Sequence, residues 1–291
     1  MRGAAMTAQL RFKNREQAGA LLARRLGAYA GRADVTVIGL PRGGVPLAAV
    51  VAERLSLPLD IFLVRKLGAP GQRELAIGAV ASGGLCVLQP DTVSAVGVSA
   101  QAIEQMIRRE TAEIARREAL FGVRHEDVAA ASSTDPAAAA ASSSSSPPAT
   151  ASPTATASSS AAAEAASSTS TSTSTSTSTE TGTGTGRHPF EGRVLIVVDD
   201  GVATGATMWA AVHALRQARP ARIVVAVPVG APDTCAALRA EVDELVCLQQ
   251  PAPFYAVGQF YQDFSEVGDD EVKRLLAIAR RRRRPAAAAT P

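Results

Sequence analysis

Apolar residues along this chain gather in short, nearly unbroken runs, and each run gives way to a Gly-bearing turn and then to apolar positions spaced three or four apart. Val35 to Gly39 (VTVIG), Leu59 to Val64, Val194 to Val198 (VLIVV), Ile223 to Val227 and Glu244 to Leu248 fit strands, the first and third of them buried on both sides. Leu75 to Val80 and Leu85 to Leu88, joined by Ala81-Ser82-Gly83-Gly84, fit a hairpin. Helical spacing appears after Asn14-Arg15-Glu16-Gln17, a capping-box pattern, with Leu21, Leu22, Leu26 and Tyr29 on one stripe. It recurs over Val45 to Leu55, Ser99 to Phe121, about Ala206 to Arg219, Asp233 to Ala240, and from Asp269 onward. Strands alternating with helices predict an α/β fold: a mostly parallel twisted sheet with helices on both faces.

One stretch breaks the pattern. Ala129 to Gly186 is filled with Ser, Thr, Ala, Pro and Thr-Gly dipeptides and holds almost no large apolar residue. Such composition cannot bury enough surface to offset the entropy of ordering, so a disordered segment is expected there. Neither flank has enough strands to cover itself. The expected organisation is therefore one domain in two parts, 12–122 and 190–279, interrupted by a Ser/Thr-rich insertion over 125–187 and followed by a basic tail over 280–291. Lengthening a surface loop costs little, because closure entropy grows only logarithmically.

Composition narrows the class. Hydrophobic residues make up 46% of the chain, sufficient for a sizeable core, while aromatics are only 4%. No apolar run approaches the roughly 20 residues that span a bilayer, and Met1 to Asn14 lacks the apolar core of a secretory leader, which leaves the cytoplasm as the expected compartment. Cys86, Cys235 and Cys247 are scattered and read as small buried residues; His125, His188 and His213 show no metal-ligand spacing. The net charge of +3 is outweighed by the run Arg280 to Arg284. That run reads first as a solvated helix end, with no groove-reading motif to argue for nucleic acid.

Chemistry concentrates at V-L-I-V-V-D-D-G-V-A-T-G-A-T-M, Val194 to Met208. The strand delivers Asp199 and Asp200 to its carboxyl end, the edge where open α/β sheets bind ligands. Backbone N–H groups of the following loop, the helix start and the hydroxyls of Thr204 and Thr207 suit a phosphate monoester, and Gly205 permits close approach. The acid pair suits sugar hydroxyls rather than that phosphate. A Walker A reading fails, since the loop carries no lysine. Gly39-Leu40-Pro41-Arg42-Gly43-Gly44-Val45-Pro46 likewise follows a strand and opens a helix; it is an anion nest or a plain Gly-Pro turn.

V-V-D-D-G-V-A-T-G-A-T-M resembles the 5-phosphoribosyl-1-pyrophosphate (PRPP) motif of type I phosphoribosyltransferases. The resemblance spans roughly Phe12 to Phe121 and Phe190 to Leu276, and adds a small hood to the expected fold. It implies that Asp199 and Asp200 bind the ribose hydroxyls, and that Ala203, Thr204, Gly205, Ala206 and Thr207 hold the 5-phosphate. By the same resemblance Arg42, Gly43 and Gly44 form the pyrophosphate loop. Val64 to Glu74 is similar to the family's mobile loop, with Arg65, Lys66 and Arg73 set to neutralise departing pyrophosphate; these residues are otherwise a solvated basic loop. Phe254 to Phe264 (FYAVGQFYQDF) corresponds to the hood, with Phe260 and Tyr261 stacking on a base and Asp263 accepting a hydrogen bond or activating the acceptor. The aromatics also fit a patch sealing the sheet edge.

The implied activity is transfer of ribose 5-phosphate from PRPP to a nitrogen acceptor, expected to be a nucleobase-like small molecule, with release of pyrophosphate. Mg²⁺ is the implied cofactor, bound through PRPP, with Asp199 and Asp200 the candidate direct ligands. Enzymes of this family acting on 6-oxopurines typically carry an Asp immediately before the Thr-Gly of the loop. Ala203 stands there instead, so hypoxanthine and guanine are expected to be poor acceptors. The alternatives are a non-catalytic PRPP- or nucleotide-binding regulatory protein and a scaffold organised by the Ser/Thr tract. A homodimer is an open possibility for assembly.

Overall fold

A computed structural model describes residues 11–70, 72–123 and 188–283. The expected Ser/Thr-rich insertion at 125–187 and the tail past residue 283 lie outside the described residues.

The chain opens with helix α1 (Arg15–Arg25), capped where Asn14 Oδ1 accepts from the Gln17 N–H at 2.9 Å. The reciprocal bond goes one residue further back than in a standard capping box, with Gln17 Oε1 accepting from the Lys13 N–H at 2.7 Å. Strand β1 (Val35–Gly39), helix α2 (Gly44–Leu55) and strand β2 (Leu59–Ile61) follow. The run expected as one strand over Leu59 to Val64 divides in two. Phe62 leaves the sheet to pack edge-on against Phe190, and a second sheet begins at Val64.

That second sheet is antiparallel and made of β3 (Val64–Ala69), β4 (Gln72–Ala81) and β5 (Cys86–Leu88). Val64 to Glu74, expected as a Gly/Pro loop, is thus largely a hairpin. The pairing of β3 with β4 shifts register on either side of Gly68, so the irregularity that reads as a breaker is absorbed as a bulge. A short helix, α3 (Pro90–Val96), has no counterpart in the sequence reading. Next comes α4 (Ala100–Phe121), capped by Ser99 and ended by Gly122 at φ 61°.

After the undescribed segment the chain supplies β6 (Val194–Val198), α5 (Ala206–Gln217), β7 (Arg222–Val229), α6 (Pro232–Glu241), β8 (Glu244–Gln249) and α7 (Asp269–Arg283). The main sheet is parallel with strand order β2-β1-β6-β7-β8, and β6 pairs with β1 from Val35↔Val194 to Gly39↔Val198. Strands from both sides of the segment 124–187 therefore share one sheet.

Alternation along the strands divides the core. Val35, Val37, Val194, Ile196, Val198, Val224 and Ala226 pack with residues of α1, α2, α4 and α7 on one face. Ile38, Leu195, Val197, Ile223, Val225 and Val227 pack with residues of α5 and α6 on the other. All five residues of β1 and all five of β6 are buried, as a parallel strand covered on both faces requires. Thr36 inside β1 is satisfied by Arg193 Nε at 2.9 Å.

The cysteines are less scattered than their spacing suggests. Cys235 on α6 and Cys247 on β8 bring their sulfurs to 3.7 Å, both as free thiols, and only Cys235 is fully buried. No helix among the described residues is long and apolar enough to cross a membrane.

Candidate functional site

From β1 the chain proceeds to β2 on one side of the sheet, and from β6 to β7 on the other. The loops leaving β1 and β6 therefore start from adjacent strand ends and lead to helices on opposite faces of the sheet, which is where such sheets bind ligands. The β1 loop runs through Leu40, Pro41, Arg42 and Gly43 into α2, and the β6 loop through Asp199 to Gly205 into α5.

The two loops touch. A Cβ built on Gly43 would lie 2.1 Å from Asp200 Oδ2, and one on Gly44 would lie 2.4 Å from the Val198 carbonyl oxygen. Gly43 has ordinary right-handed φ/ψ (−61°, −34°), so it is glycine for lack of room and not for conformational freedom. Gly205 is glycine for both reasons: its φ is 73°, and a Cβ there would meet Thr234 Cγ2 at 2.7 Å. Its turn exposes Thr204, Ala206 and Thr207 together at the start of α5, where the first helical N–H groups have no intrahelical acceptor. Behind this loop Thr234 donates its hydroxyl proton to the Ala203 carbonyl at 2.6 Å.

Asp199 and Asp200 stand side by side at the mouth of β6. Asp199 Oδ1 accepts from the Asp200 N–H at 2.9 Å. Burial, and then the neighbouring Asp200 charge, push the Asp199 carboxyl well above the usual carboxylate range. Asp200 is raised by burial as well, against the opposing pull of Arg15. That arginine was not singled out in the sequence. Its Nε and Nη2 both donate to Asp200 Oδ2, at 3.0 and 2.8 Å. Tyr261 completes the group by donating its hydroxyl to the Asp200 carbonyl at 2.6 Å.

The remaining expected residues are distributed unevenly. Arg42 sits on the β1 loop, but its guanidinium pairs with Glu266 and lies 3.9 Å from Asp269. Arg65 points to α4, where Glu110 accepts from its Nε at 2.9 Å. Glu110 is buried, which would raise its carboxyl, yet Arg109 and Arg65 outweigh this and hold it below its ordinary value. Lys66 is exposed and borders a cleft of about 600 Å³ shared with Thr204, Ala206, Trp209 and His213, so it is brought toward the β6 loop. Arg73 lies on β4 near the hairpin tip, and its side chain is outside the described residues.

The hood expectation needs correcting. Phe260 and Tyr261 are each 1% exposed and pack into the core, Tyr261 tilted against Phe12 at 5.5 Å between ring centres. Buried rings have no face to offer a base; this pair belongs to the core, together with Phe12. The exposed aromatics of the segment are Tyr255 and Phe264. Asp263 is exposed, and its Oδ1 accepts from both the N–H and the hydroxyl of Ser265, which lowers its pKa and makes it a weaker base.

Comparison with known proteins now places the chain. A profile of the phosphoribosyl transferase domain matches residues 152–264. A Mycobacterium tuberculosis protein of strain H37Rv, named "putative phosphoribosyl transferase", is 36% identical over 270 residues, which cover 93% of this chain and 47% of that protein. Its counterpart in strain CDC 1551 gives the same values. The chain thus spans about half the length of the curated relatives it matches. The crystal structure of TT1426 from Thermus thermophilus is 35% identical, covers 92% of this chain and 98% of its own, and superposes with a TM-score of 0.63. Residues 152–264 of this chain belong to the phosphoribosyl transferase domain family.

Proposed function

We propose that the chain transfers the 5-phosphoribosyl group of PRPP to a nitrogen of a nucleobase-like acceptor. The observation that carries this reading is the contact of the two loops at the β1/β6 strand ends, where Asp200 Oδ2 leaves no room for a side chain on Gly43. A sugar with phosphate at C5 and pyrophosphate at C1 needs two anion-binding loops beside groups that accept hydroxyl protons, and Asp199 and Asp200 open the β6 loop where it meets the β1 loop, which supports this reading.

In the proposed step the acceptor nitrogen's lone pair forms the new bond to C1 as the C1–O bond to pyrophosphate breaks, inverting the carbon. The electron pair leaves with pyrophosphate, and the acceptor's proton, where it carries one, goes to water. Ala203 to Thr207 hold the 5-phosphate, the acid pair orients the ribose, and Gly43 presents its backbone N–H to the leaving group, while Gly44, whose own N–H is donated to the Leu40 carbonyl, lets the loop pack against β6; catalysis then rests on positioning and charge stabilisation. Lys66 stands where it can approach the substrate phosphates. Among the described residues no group of three or more His, Cys, Asp or Glu could hold a metal ion. Mg²⁺ therefore fits only as an ion ligated chiefly by substrate and water, with Asp199 and Asp200 supplying what carboxylate oxygen the chain can offer. Bound in that way, Mg²⁺ would neutralise pyrophosphate and ease its departure.

The reading extends to a cytoplasmic protein folded as one domain across the segment 124–187. A regulatory PRPP binder without catalysis is favoured by one observation, the engagement of Arg65 by Glu110 instead of an open site. Exchange of labelled pyrophosphate into PRPP, with hypoxanthine, guanine, xanthine, adenine, uracil and orotate as acceptors, separates the two. Exchange with at least one base, and least with hypoxanthine and guanine, is expected. Calorimetry showing no PRPP binding at all would overturn the proposal.

A further inference from the structure

Arg15 occupies the first position of α1, where a cation opposes the helix dipole, and no local feature of the helix calls for it. Its contacts lie instead 185 residues or more away. Two donors of one guanidinium edge converge on Asp200 Oδ2, while Nη1 donates to the Ser265 carbonyl at 2.7 Å and the guanidinium carbon stands 4.0 Å above the Phe264 ring. The two side chains of the pair are 12% and 14% exposed. Such a buried pair is weak evidence for a stabilising role, because desolvation offsets much of the attraction. Its geometry is more informative. Arg15 takes one carboxylate oxygen from a fixed direction, and among the described residues Oδ1 accepts no hydrogen bond.

We propose that Arg15 is the positioning residue of the sugar site. It clamps Asp200 through Oδ2, presents Oδ1 to a ribose hydroxyl, and ties that acid to the Phe264–Ser265 segment, so that sugar binding and the seating of this segment depend on one guanidinium. The inference rests on the phosphoribosyl-transfer reading and adds to it a residue from the start of the chain. Lysine cannot replace the two-donor edge, since an ammonium is a point charge on a flexible stem.

The test is calorimetric titration of PRPP and, separately, of inorganic phosphate into wild type, Arg15→Met, Arg15→Lys, Asp200→Asn and the Arg15→Met/Asp200→Asn double variant, each checked for folding by circular dichroism. PRPP affinity should fall by about tenfold or more in Arg15→Met and by about threefold or more in Arg15→Lys, and the double variant should bind no more weakly than Asp200→Asn alone. Inorganic phosphate, which can be held by the anion-binding loops without the acid pair, should bind Arg15→Met within about twofold of wild type, a result that a general loss of structure would not give. If Arg15→Met does not fold, Arg15→Lys decides. Unchanged PRPP affinity in a folded variant, or losses that add in the double variant, would overturn the role of Arg15 while leaving the transfer reading intact. Wild type that binds no PRPP would remove that reading and this inference together.

Discussion

Gly43→Ala isolates the contact between the two loops. Gly43 already has α-helical φ/ψ, so alanine meets no backbone strain, and the reduced freedom of the unfolded chain should by itself favour the variant by about 0.4–1 kcal/mol. Against this stands the new methyl group, 2.1 Å from Asp200 Oδ2 and 2.7 Å from its Cγ. Relief requires a movement of about 1 Å or more, since carbon–oxygen contacts normally exceed about 3 Å. Neither side yields easily. Arg15 fixes the carboxylate with two hydrogen bonds, and the Gly44 N–H is bonded to the Leu40 carbonyl at 3.0 Å. Forced overpacking of this kind costs about 1–3 kcal/mol, so the methyl group wins and a net loss of about 0.5–2 kcal/mol is expected. Gly27→Ala is the control, because nothing lies within 4 Å of its built Cβ and its φ is not positive. Urea unfolding followed by circular dichroism should show Gly43→Ala destabilised and Gly27→Ala within about 0.5 kcal/mol of wild type. PRPP affinity by calorimetry should fall at least about tenfold, or about 1.4 kcal/mol, in Gly43→Ala only. A Gly43→Ala protein as stable as wild type with unchanged affinity would refute the loop contact as described.

Asp199→Asn with Asp200→Asn should leave a folded protein whose PRPP affinity is down by at least about tenfold; unchanged binding would remove the acids from the site. Joining Val123 to His188 through a short Gly/Ser linker should give a soluble protein with a single unfolding transition, because β1 and β6 are neighbours in one sheet, and two separate transitions would contradict a single domain. Glu110, held below its ordinary pKa of 4.5 in the folded chain, contributes stability that is present above that value and lost as pH falls through the lower, folded one. Glu110→Gln should therefore flatten the acid limb of a urea-midpoint profile below about pH 4.5, and an unaltered limb would assign acid lability elsewhere.

The parallel sheet was legible because buried strands such as VTVIG and VLIVV leave a plain mark, and the turn after β6 because Gly201 and Gly205 interrupt the apolar run before helical spacing resumes. Arg15 was not legible. It sits in an amphipathic helix as an ordinary charged residue, and only the folded chain brings it to Asp200. Phe260 and Tyr261 misled for a related reason: aromatics near a glycine look alike in sequence whether they face solvent or the Phe12 ring. Gly68 and Pro70 read as a loop because the pairing of β3 with β4, which tolerates the bulge, lies in the partner strand. Cys235 and Cys247 looked unrelated, since a helix and a strand that pack together have no common spacing.

The order of the main sheet also bears on how the chain emerges from the ribosome. β1 can pair with β2 once helix α2 has been made, about 20 residues later, but its other edge waits for β6, which begins about 155 residues after β1 ends, on the order of ten seconds or more at typical elongation rates. For that interval Val35 to Gly39 offers a row of open backbone donors and acceptors beside apolar side chains, the kind of edge on which nascent chains pair wrongly with one another. Only when translation delivers Val194 to Val198 does that edge gain its partner, so the yield of folded molecules depends on how long it stands open.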